Sequence, residues 1–472
     1  MFTNDIVAGQ LARLGRYLEE RVVPYHPHYR RLFAKEPASF YRFRSPRDLA
    51  RLPLTTKLEL GAAPRDFVLQ PDPSDIRRRL RWYETVEALV RPATVQARMR
   101  RRYRPSFVVA TSGRTSTSTP VLFTSEDVER FKRVYAAGAQ VQGMAADDVY
   151  VSLFPYAPHL AFWIVFFAAE ALGLLGVNTG ATLGTLRAIG LAREMKATWI
   201  AGTPTYVLHF LERARAEGCR LEHLRGVTTG GERLSPGLRA RIEAAVDDLG
   251  GRGAGAVRDG YGVVESKMAC MECTPHSGYH APPDILLWEC VDPKTGAHVE
   301  PEAGGDLAFT HLTGSGTVLL RYRPGDVSEG GVSVRPCPHC GRAWPRVLGP
   351  LGRSADYCQG LQVTKIKGTT VNLNGLVDLL AAQSAVREFR VRLRKNPPDD
   401  PYGLDVLRLE VALRDDTQPG AERRLGEEVK AATEITPELV VRPYDELAAD
   451  LTQALKGTRC VDERGAPSGR PV

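Results

Sequence analysis

Three short strings in this chain carry the residue types that handle phosphate, sugar and a hard metal ion. The first, Thr111-Ser-Gly-Arg-Thr-Ser-Thr-Ser-Thr-Pro120, puts seven hydroxyls, one glycine and one arginine into ten residues, directly after an apolar run at 107–110. Hydroxyls and backbone N–H groups donate to phosphate oxygens, and a glycine lets the backbone come close to them. The string lacks the GxxxxGK[ST] pattern of a Walker loop. A flexible Ser/Thr linker would have the same composition, but the apolar run in front of it argues for an anchored loop. The second string, Asp259-Gly-Tyr-Gly-Val-Val-Glu265, sets a tyrosine between two glycines. Its ring face can meet a purine, and a carboxylate four residues on suits Mg²⁺ beside phosphates. A tight turn with a surface glutamate would read the same way. The third, Leu320-Arg-Tyr-Arg-Pro-Gly-Asp326, followed later by Gly352-Arg353, places an aspartate after a glycine turn. There it can accept from both hydroxyls of a ribose, or serve as an ordinary turn residue.

The cysteines suggest a second kind of chemistry. There are eight, and four of them form two CxxC pairs, Cys270-Met-Glu-Cys273 and Cys337-Pro-His-Cys340. No secretory signal is apparent in 1–9, so these thiols are expected to be reduced. Paired CxxC knuckles from two loops then point to tetrahedral zinc rather than disulfides. The competing reading is four unligated thiols.

These strings need a scaffold, and the pattern around them supplies one. Spacing predicts a helix at 11–22, a loop running into a short helix near 52–57, and then alternation from 106 onward. Strands are expected at 107–110, 149–153, 199–201 and 226–229, with helices at 127–137, 206–217 and 237–246. Such alternation predicts an α/β sheet with helices on both faces, whose ligands lie beyond the carboxyl ends of the strands. From 285 to 350 the pattern turns to β, with strands expected at 285–291, 305–310 and 317–322. After Gly352-Arg353 a smaller α+β unit follows, with strands at 363–366, 389–393, 407–413 and 439–442 and helices at 373–383 and 421–432.

A chain of 472 residues, 43% hydrophobic, is long enough for two or three domains. The apolar run at 160–177 is broken by Glu170, Gly173 and Gly176, and falls short of the ~20 residues of a bilayer span. It reads as buried helix or strand–helix, so no membrane partner is expected and the location is expected to be cytoplasmic. The net charge of +8, concentrated in arginines such as those in 98–104, allows a basic surface for phosphorylated ligands. No nucleic-acid module accompanies it, so nucleic acid is not an expected partner.

Taken in order, these strings resemble the adenylate-forming superfamily of acyl-CoA synthetases, and in detail its phenylacetate–CoA ligase branch. The resemblance runs from Leu52-Pro-Leu-Thr-Thr-Lys57 to Arg464. It includes Phe154-Pro155, Gly202-Thr-Pro-Thr-Tyr206, Gly230-Gly-Glu232, Tyr261-Gly262…Glu265, Arg321-Tyr-Arg…Gly-Asp326, Cys340-Gly-Arg342, Gly352-Arg353 and Lys367-Gly368. It implies a large N-terminal domain of α/β sheets plus a β region, residues 1–355, that binds ATP and the acyl group and carries the zinc site. A small mobile C-terminal α+β lid, residues 356–472, would follow it.

By the same resemblance, Thr111, Ser112, Gly113, Thr115, Ser116 and Thr117 wrap the ATP phosphates. Arg114 is the nearest replacement for a lysine that the family's loop carries. Gly230, Gly231 and Glu232 border the adenine and the acyl pocket. Asp259 and Gly262 flank Tyr261, which stacks on adenine, and Glu265 binds Mg²⁺. Asp326 holds the ribose with help from Arg353. The tail Leu455-Lys-Gly-Thr-Arg-Cys-Val-Asp-Glu-Arg464 resembles the family's closing string and nominates Lys456 as the catalytic cation. Zinc ligands become Cys273, His280, Cys337 and Cys340, with Cys270 in place of His280 as the competing set. Phe154, Tyr156, His159 and Trp163 fall in the region of the acyl pocket, although aromatic stripes are more often core.

The activity implied is ATP-dependent activation of a small carboxylic acid, an aryl acid by the pocket's make-up, to acyl-AMP, followed by transfer to coenzyme A. Val264 stands where the family's pattern has a threonine. With the altered loop, this leaves an amine, a carrier-protein thiol or an inorganic nucleophile open as acceptor. A non-catalytic nucleotide-binding protein with structural zinc is the reading from another class. A homodimer is left open.

Overall fold

The structure, a computed structural model, describes residues 5–72, 86, 89–111, 119–156, 160–180, 183–353, 363–366, 369–397, 404–452 and 459–464. Its packing divides the chain into two compact units, each drawn from several segments. The first holds Met1–Asp148, Tyr156–Gly176 and Arg258–Arg353; the second holds Val149–Pro155, Val177–Val257 and Ser354–Val472. No described helix is long and apolar enough to cross a membrane.

In the first unit, Leu11, Leu14, Leu18 and Val22 recur at helical spacing and are all buried. They line a helix Asp5–Tyr17 that runs into a π-helical turn, Leu18–Val22. The strands Pro105–Ala110 and Pro120–Thr124 pair antiparallel, with Ala110 opposite Pro120. Thr111 N–H donates to the Thr119 carbonyl at 3.0 Å, and Thr119 N–H donates to Thr111 Oγ1 at 3.0 Å. The Ser/Thr-rich string is therefore closed at its base by a hairpin and is not a linker. The helix Ser125–Val141 starts at a capping box in which Thr124 and Asp127 each accept the other's backbone N–H.

The next strands of this unit form antiparallel pairs. The strand Val257–Val263 pairs with Met268–Met271, and Tyr279–His280 pairs with Arg346–Val347, which pairs with Val332–Ser333. A separate four-stranded sheet runs Leu286–Val291, Gly305–His311, Asp326–Ser328, Leu351–Arg353. Its register sets Asp326 directly opposite Arg353.

The strand expected at 317–322 does not form. Thr317 and Tyr322 make only isolated bridges, to Val68 and to Thr55 and Phe309. Val318, Leu319, Leu320 and Tyr322 are buried, which is why the run looks like a strand. Arg321, however, sits in the left-handed region at φ 44°, which breaks any regular ladder.

The second unit has parallel strands Val149–Ser152, Trp199–Gly202 and Gly226–Gly230, connected by the helices Thr185–Glu194, Pro204–Ala216 and Pro236–Asp248. Trp199 is fully buried over Gly226, where a Cβ would fall 2.2 Å from its ring. Residues beyond 354 add a sheet in the order Glu438–Val441, Leu404–Leu413, Val386–Asn396, Cys460–Asp462. Its inner strands are antiparallel and its outer ones parallel to their neighbours. The helices Leu373–Ala382 and Ala421–Thr433 contribute to its core.

Candidate active site

The strand Val257–Val263 alternates its side chains, so Asp259 and Tyr261 share one face. Gly262 has no room for a side chain: a Cβ there would lie 2.6 Å from the Met268 carbonyl of the paired strand. The Tyr261 ring lies between Trp288 and Tyr279, at centroid distances of 5.7 and 5.9 Å. Its hydroxyl donates to Asp326 Oδ2 at 2.9 Å, while Arg353 Nη1 meets the other oxygen at 2.8 Å. Burial, and then the Asp326 charge, push the Tyr261 phenol well above its ordinary range, so it keeps the proton that it donates to Asp326. The Asp326 side chain is 9% exposed and that of Arg353 59%. The result is a buried carboxylate held by a buried phenol and capped by an exposed guanidinium. Two adjacent sugar hydroxyls are suited to such a group.

Asp259 is buried and accepts from the Tyr279 hydroxyl at 2.9 Å, while its N–H donates to Glu272 at 2.8 Å. It supports the tyrosine layer from within the protein.

Glu265 lies in the short turn Val264–Ser266, buried, and accepts from the Tyr322 hydroxyl at 2.9 Å. A single buried carboxylate beside phosphate oxygens fits the hard-oxygen coordination that Mg²⁺ requires. The residue closing this turn, Lys267, is left-handed at φ 63° and buried. Its ammonium reaches Asp127 Oδ2 at 3.3 Å and lies 4.8 Å from the centre of the Phe123 ring. Asp127 also accepts from the N–H groups of Ser315 and Gly316, at 3.0 and 2.7 Å. Burial alone would raise the Asp127 carboxyl, but the Lys267 charge and these donors bring it below its usual range. Burial lowers Lys267 more than Asp127 raises it.

Sequence reasoning had overlooked Tyr322, Asp127 and Lys267. Tyr322 lies inside the string 320–326 and Lys267 two residues after Glu265, yet no spacing rule distinguishes a buried hydroxyl or ammonium from an exposed one.

The aromatic residues divide between the units. Phe154 is buried in the second, just beyond Val149–Ser152. In the first, Tyr156 lies 5.3 Å from Phe162 and 5.5 Å from Trp163, which meets Phe107 edge-on at 5.0 Å. Gly230, Gly231 and Glu232 follow the strand Gly226–Gly230 in the second unit, with Gly231 left-handed at φ 82°. Glu232 accepts from Thr205 N–H at 3.4 Å. Of the remaining candidates, Thr111 is buried at the hairpin base. Ser112, Gly113, Arg114, Thr115, Ser116, Thr117, His159 and Lys456 lie outside the described residues.

In the first unit a second cluster forms. The ligand atoms of Cys273, His280, Cys337 and Cys340 all lie within 4.8 Å of one another. Cys270 is fully buried elsewhere on the strand Met268–Met271 and is not part of this group. The Sγ atoms of Cys273 and Cys337 are 3.8 Å apart, and Cys340 Sγ is 3.3 Å from His280 Nε2. A tetrahedron with Zn–S bonds of ~2.3 Å has sulfur–sulfur edges of about 3.8 Å, so the donor set and spacing fit zinc. His280 Nδ1 lies 3.0 Å from the Met271 carbonyl, which orients the ring with Nε2 toward the cluster.

The α/β sheets, the α+β sheet beyond 354 with its own core and the Tyr261–Asp326–Arg353 array are together those of an adenylate-forming fold. The sequence matches the AMP-binding enzyme family over residues 61–313, more than half of the chain, and the chain belongs to that family. It is similar to the phenylacetate-coenzyme A ligase of Thermus thermophilus, 26% identical over 463 residues that span 92% of this chain and 91% of the relative. The phenylacetate-coenzyme A ligase of Escherichia coli K12 is 26% identical over 70% of this chain and 67% of its own length. Among solved structures, 2-hydroxyisobutyryl-CoA ligase in its postadenylation state aligns over 97% of this chain and 90% of its own, with a TM-score of 0.73 at 20% identity. The same enzyme in its thioesterification state aligns over 98% and 90%, with a TM-score of 0.61 at 21% identity. These structures share the fold.

Proposed function

We propose that this chain is an AMP-forming acid–thiol ligase. It joins a small carboxylic acid to ATP with release of pyrophosphate, then passes the acyl group from acyl-AMP to the thiol of coenzyme A. The observation that carries this reading is the Asp326 carboxylate, opposed by Arg353 and clamped by Tyr261, whose strand also leads into Glu265. Asp326 and Arg353 take the ribose, the Tyr261 ring borders the adenine, and Gly230, Gly231 and Glu232 border the adenine and the acyl group. The hairpin string from Thr111 to Thr119, with Arg114, wraps the phosphates. Glu265 holds Mg²⁺, which neutralises charge on the leaving pyrophosphate when bound. Catalysis is then positioning plus electrostatics. Residues 1–355 act as the ATP- and acyl-binding domain and 356–472 as the lid, with Lys456 serving the adenylation step. The aromatic set around Tyr156 and Trp163, with Phe154 and His159, favours an aryl acid.

Pyrophosphate exchange across a panel of aryl acids tests the first half-reaction. Exchange is expected with at least one acid; its absence with all of them would favour a nucleotide-binding protein without catalysis. Mass spectrometry for a thioester after adding coenzyme A tests the second half. An adenylate that forms while no thioester appears would move the acceptor to an amine, a carrier-protein thiol or an inorganic nucleophile.

The Cys273–His280–Cys337–Cys340 group is proposed as a structural zinc site, since four protein ligands leave no open position. It ties the strand after Glu265 to the loop after Asp326. Elemental analysis of the purified protein should give one zinc per chain, and Cys337→Ser should lose it, whereas Cys270→Ser should keep it. Retention of zinc by the Cys337 variant would overturn the ligand assignment.

A further inference from the structure

The residue that holds Glu265 in place has no assigned role. We infer that Tyr322 is the positioning residue for the metal-binding carboxylate, and that the left-handed Arg321 exists to aim it. This rests on the reading of Glu265 as the Mg²⁺ ligand. Tyr322 is fully buried, and its hydroxyl donates to Glu265 Oε1 at 2.9 Å. One oxygen of the carboxylate is thereby fixed, which sets the plane and direction of the other. Its backbone is fixed too, by N–H donation to the Phe309 carbonyl at 2.8 Å and acceptance from Phe309 N–H at 3.1 Å.

The kink just before it is held in place by many bonds. Arg321 at φ 44° is a conformation that costs a non-glycine residue about 1–3 kcal/mol and persists only where its surroundings enforce it. Here the Arg321 side chain is buried and donates to both oxygens of Glu289, at 2.9 and 3.2 Å. It also donates to the carbonyls of Leu52 at 3.1 Å and Gly296 at 2.8 Å, and its backbone N–H donates to Thr310 Oγ1 at 3.0 Å. A regular strand through 317–322 would alternate side chains on two faces. The left-handed step at 321 resets that alternation immediately before Tyr322. With donation from Thr55 N–H to the Arg321 carbonyl at 3.1 Å, six hydrogen bonds hold this left-handed residue directly before Tyr322.

The test is Tyr322→Phe, which keeps the ring against Phe309, 5.4 Å away, and deletes only the hydroxyl. Removing a partner that orients a metal ligand typically weakens metal affinity by about 10–100-fold. The Mg²⁺ concentration for half-maximal pyrophosphate exchange should rise by that factor, with the maximal rate recovered at saturating Mg²⁺. Electron paramagnetic resonance of Mn²⁺ binding to the enzyme with α,β-methylene-ATP should show the same loss of affinity without any turnover. An unchanged Mn²⁺ affinity overturns the assignment, even if the rate falls at every Mg²⁺ concentration, because that pattern marks a structural role. Glu265→Gln separates the two levels. If it too leaves Mn²⁺ affinity unchanged, the reading of Glu265 fails. If it weakens binding while Tyr322→Phe does not, only the role of Tyr322 fails.

Discussion

Lys456→Ala should lower pyrophosphate exchange by roughly 10²–10³-fold, the usual effect of removing one preorganised stabilising donor from a transition state, while preformed acyl-AMP still reacts with coenzyme A. Attack of a carboxylate on the α-phosphate gathers negative charge at a five-coordinate phosphorus, and a cation bridging the two anions stabilises that charge directly. The tail holds three cations that could do this: Lys456, Arg459 and Arg464. Two are already committed. Arg459 donates to both oxygens of Glu388, at 2.8 and 3.1 Å, and to Thr205 Oγ1 at 3.2 Å. Arg464 pairs with Asp462 at 2.6 Å and Asp405 at 3.3 Å. A guanidinium neutralised by a carboxylate is a poor phosphate clamp, and freeing it would first cost the pair. Lysine near a helix C-terminus is also favoured for ordinary helix stability, and the two roles predict different data. A structural lysine would shift stability and leave the exchange rate within a few-fold. Full exchange in the alanine variant would remove Lys456 from the mechanism, whatever its effect on folding.

The architecture was largely legible because burial in this fold follows simple periods. The strands at 149–152, 199–202 and 226–230 and the helices at 204–216 and 236–248 lie where apolar spacing puts them, whereas the helix Thr185–Glu194 was not foreseen. The antiparallel run through 268–280 was not legible: Met268–Met271 and Tyr279–His280 are short, and cysteine, histidine and glutamate interrupt their alternation. The strand expected at 317–322 failed for a related reason, since hydrophobic content cannot reveal one residue forced left-handed. Of the site, Asp326 and Arg353 were found as separate strings 27 residues apart. Sheet register makes them neighbours, and no one-dimensional reading contains that register. The choice between Cys270 and His280 was likewise a question of strand face. Cys270 pairs with Tyr261 inside the sheet, whereas His280 turns its ring toward Cys340.

The same blindness to burial hid the pair behind Glu265, and that pair should dominate the stability of its unit. Lys267→Met should destabilise the first unit by about 3–5 kcal/mol, the usual cost of leaving one charge of a buried pair uncompensated. Both side chains are only 1% exposed, at an N–O distance of 3.3 Å. Methionine fits the slot between Phe123 and Phe131 that the lysine stem occupies, so the loss falls on Asp127 and not on a cavity. A second change, Asp127→Asn, removes the orphaned charge and keeps one oxygen for the N–H groups of Thr124 and Gly316, which share Oδ2, while the Ser315 N–H on Oδ1 loses its acceptor. The double variant should therefore recover part of the loss, a coupling that a double-mutant cycle isolates.

The pH dependence has a definite sign. In the unaltered chain the Asp127 carboxyl is held below its usual range, so its contribution is present above the unfolded value, about 3.9, and disappears as pH falls through the folded value. Without Lys267 the largest effect opposing burial is gone and only the N–H donors and Arg130 remain against it, so the folded value of the carboxyl rises. The penalty is then complete at neutral pH and shrinks toward acid as the carboxyl takes up a proton. Urea denaturation at pH 8 and pH 5 should thus give a larger deficit for Lys267→Met at pH 8. An equal deficit at both values, or no recovery in the double variant, would mean that the lysine stabilises through its stem and not its charge.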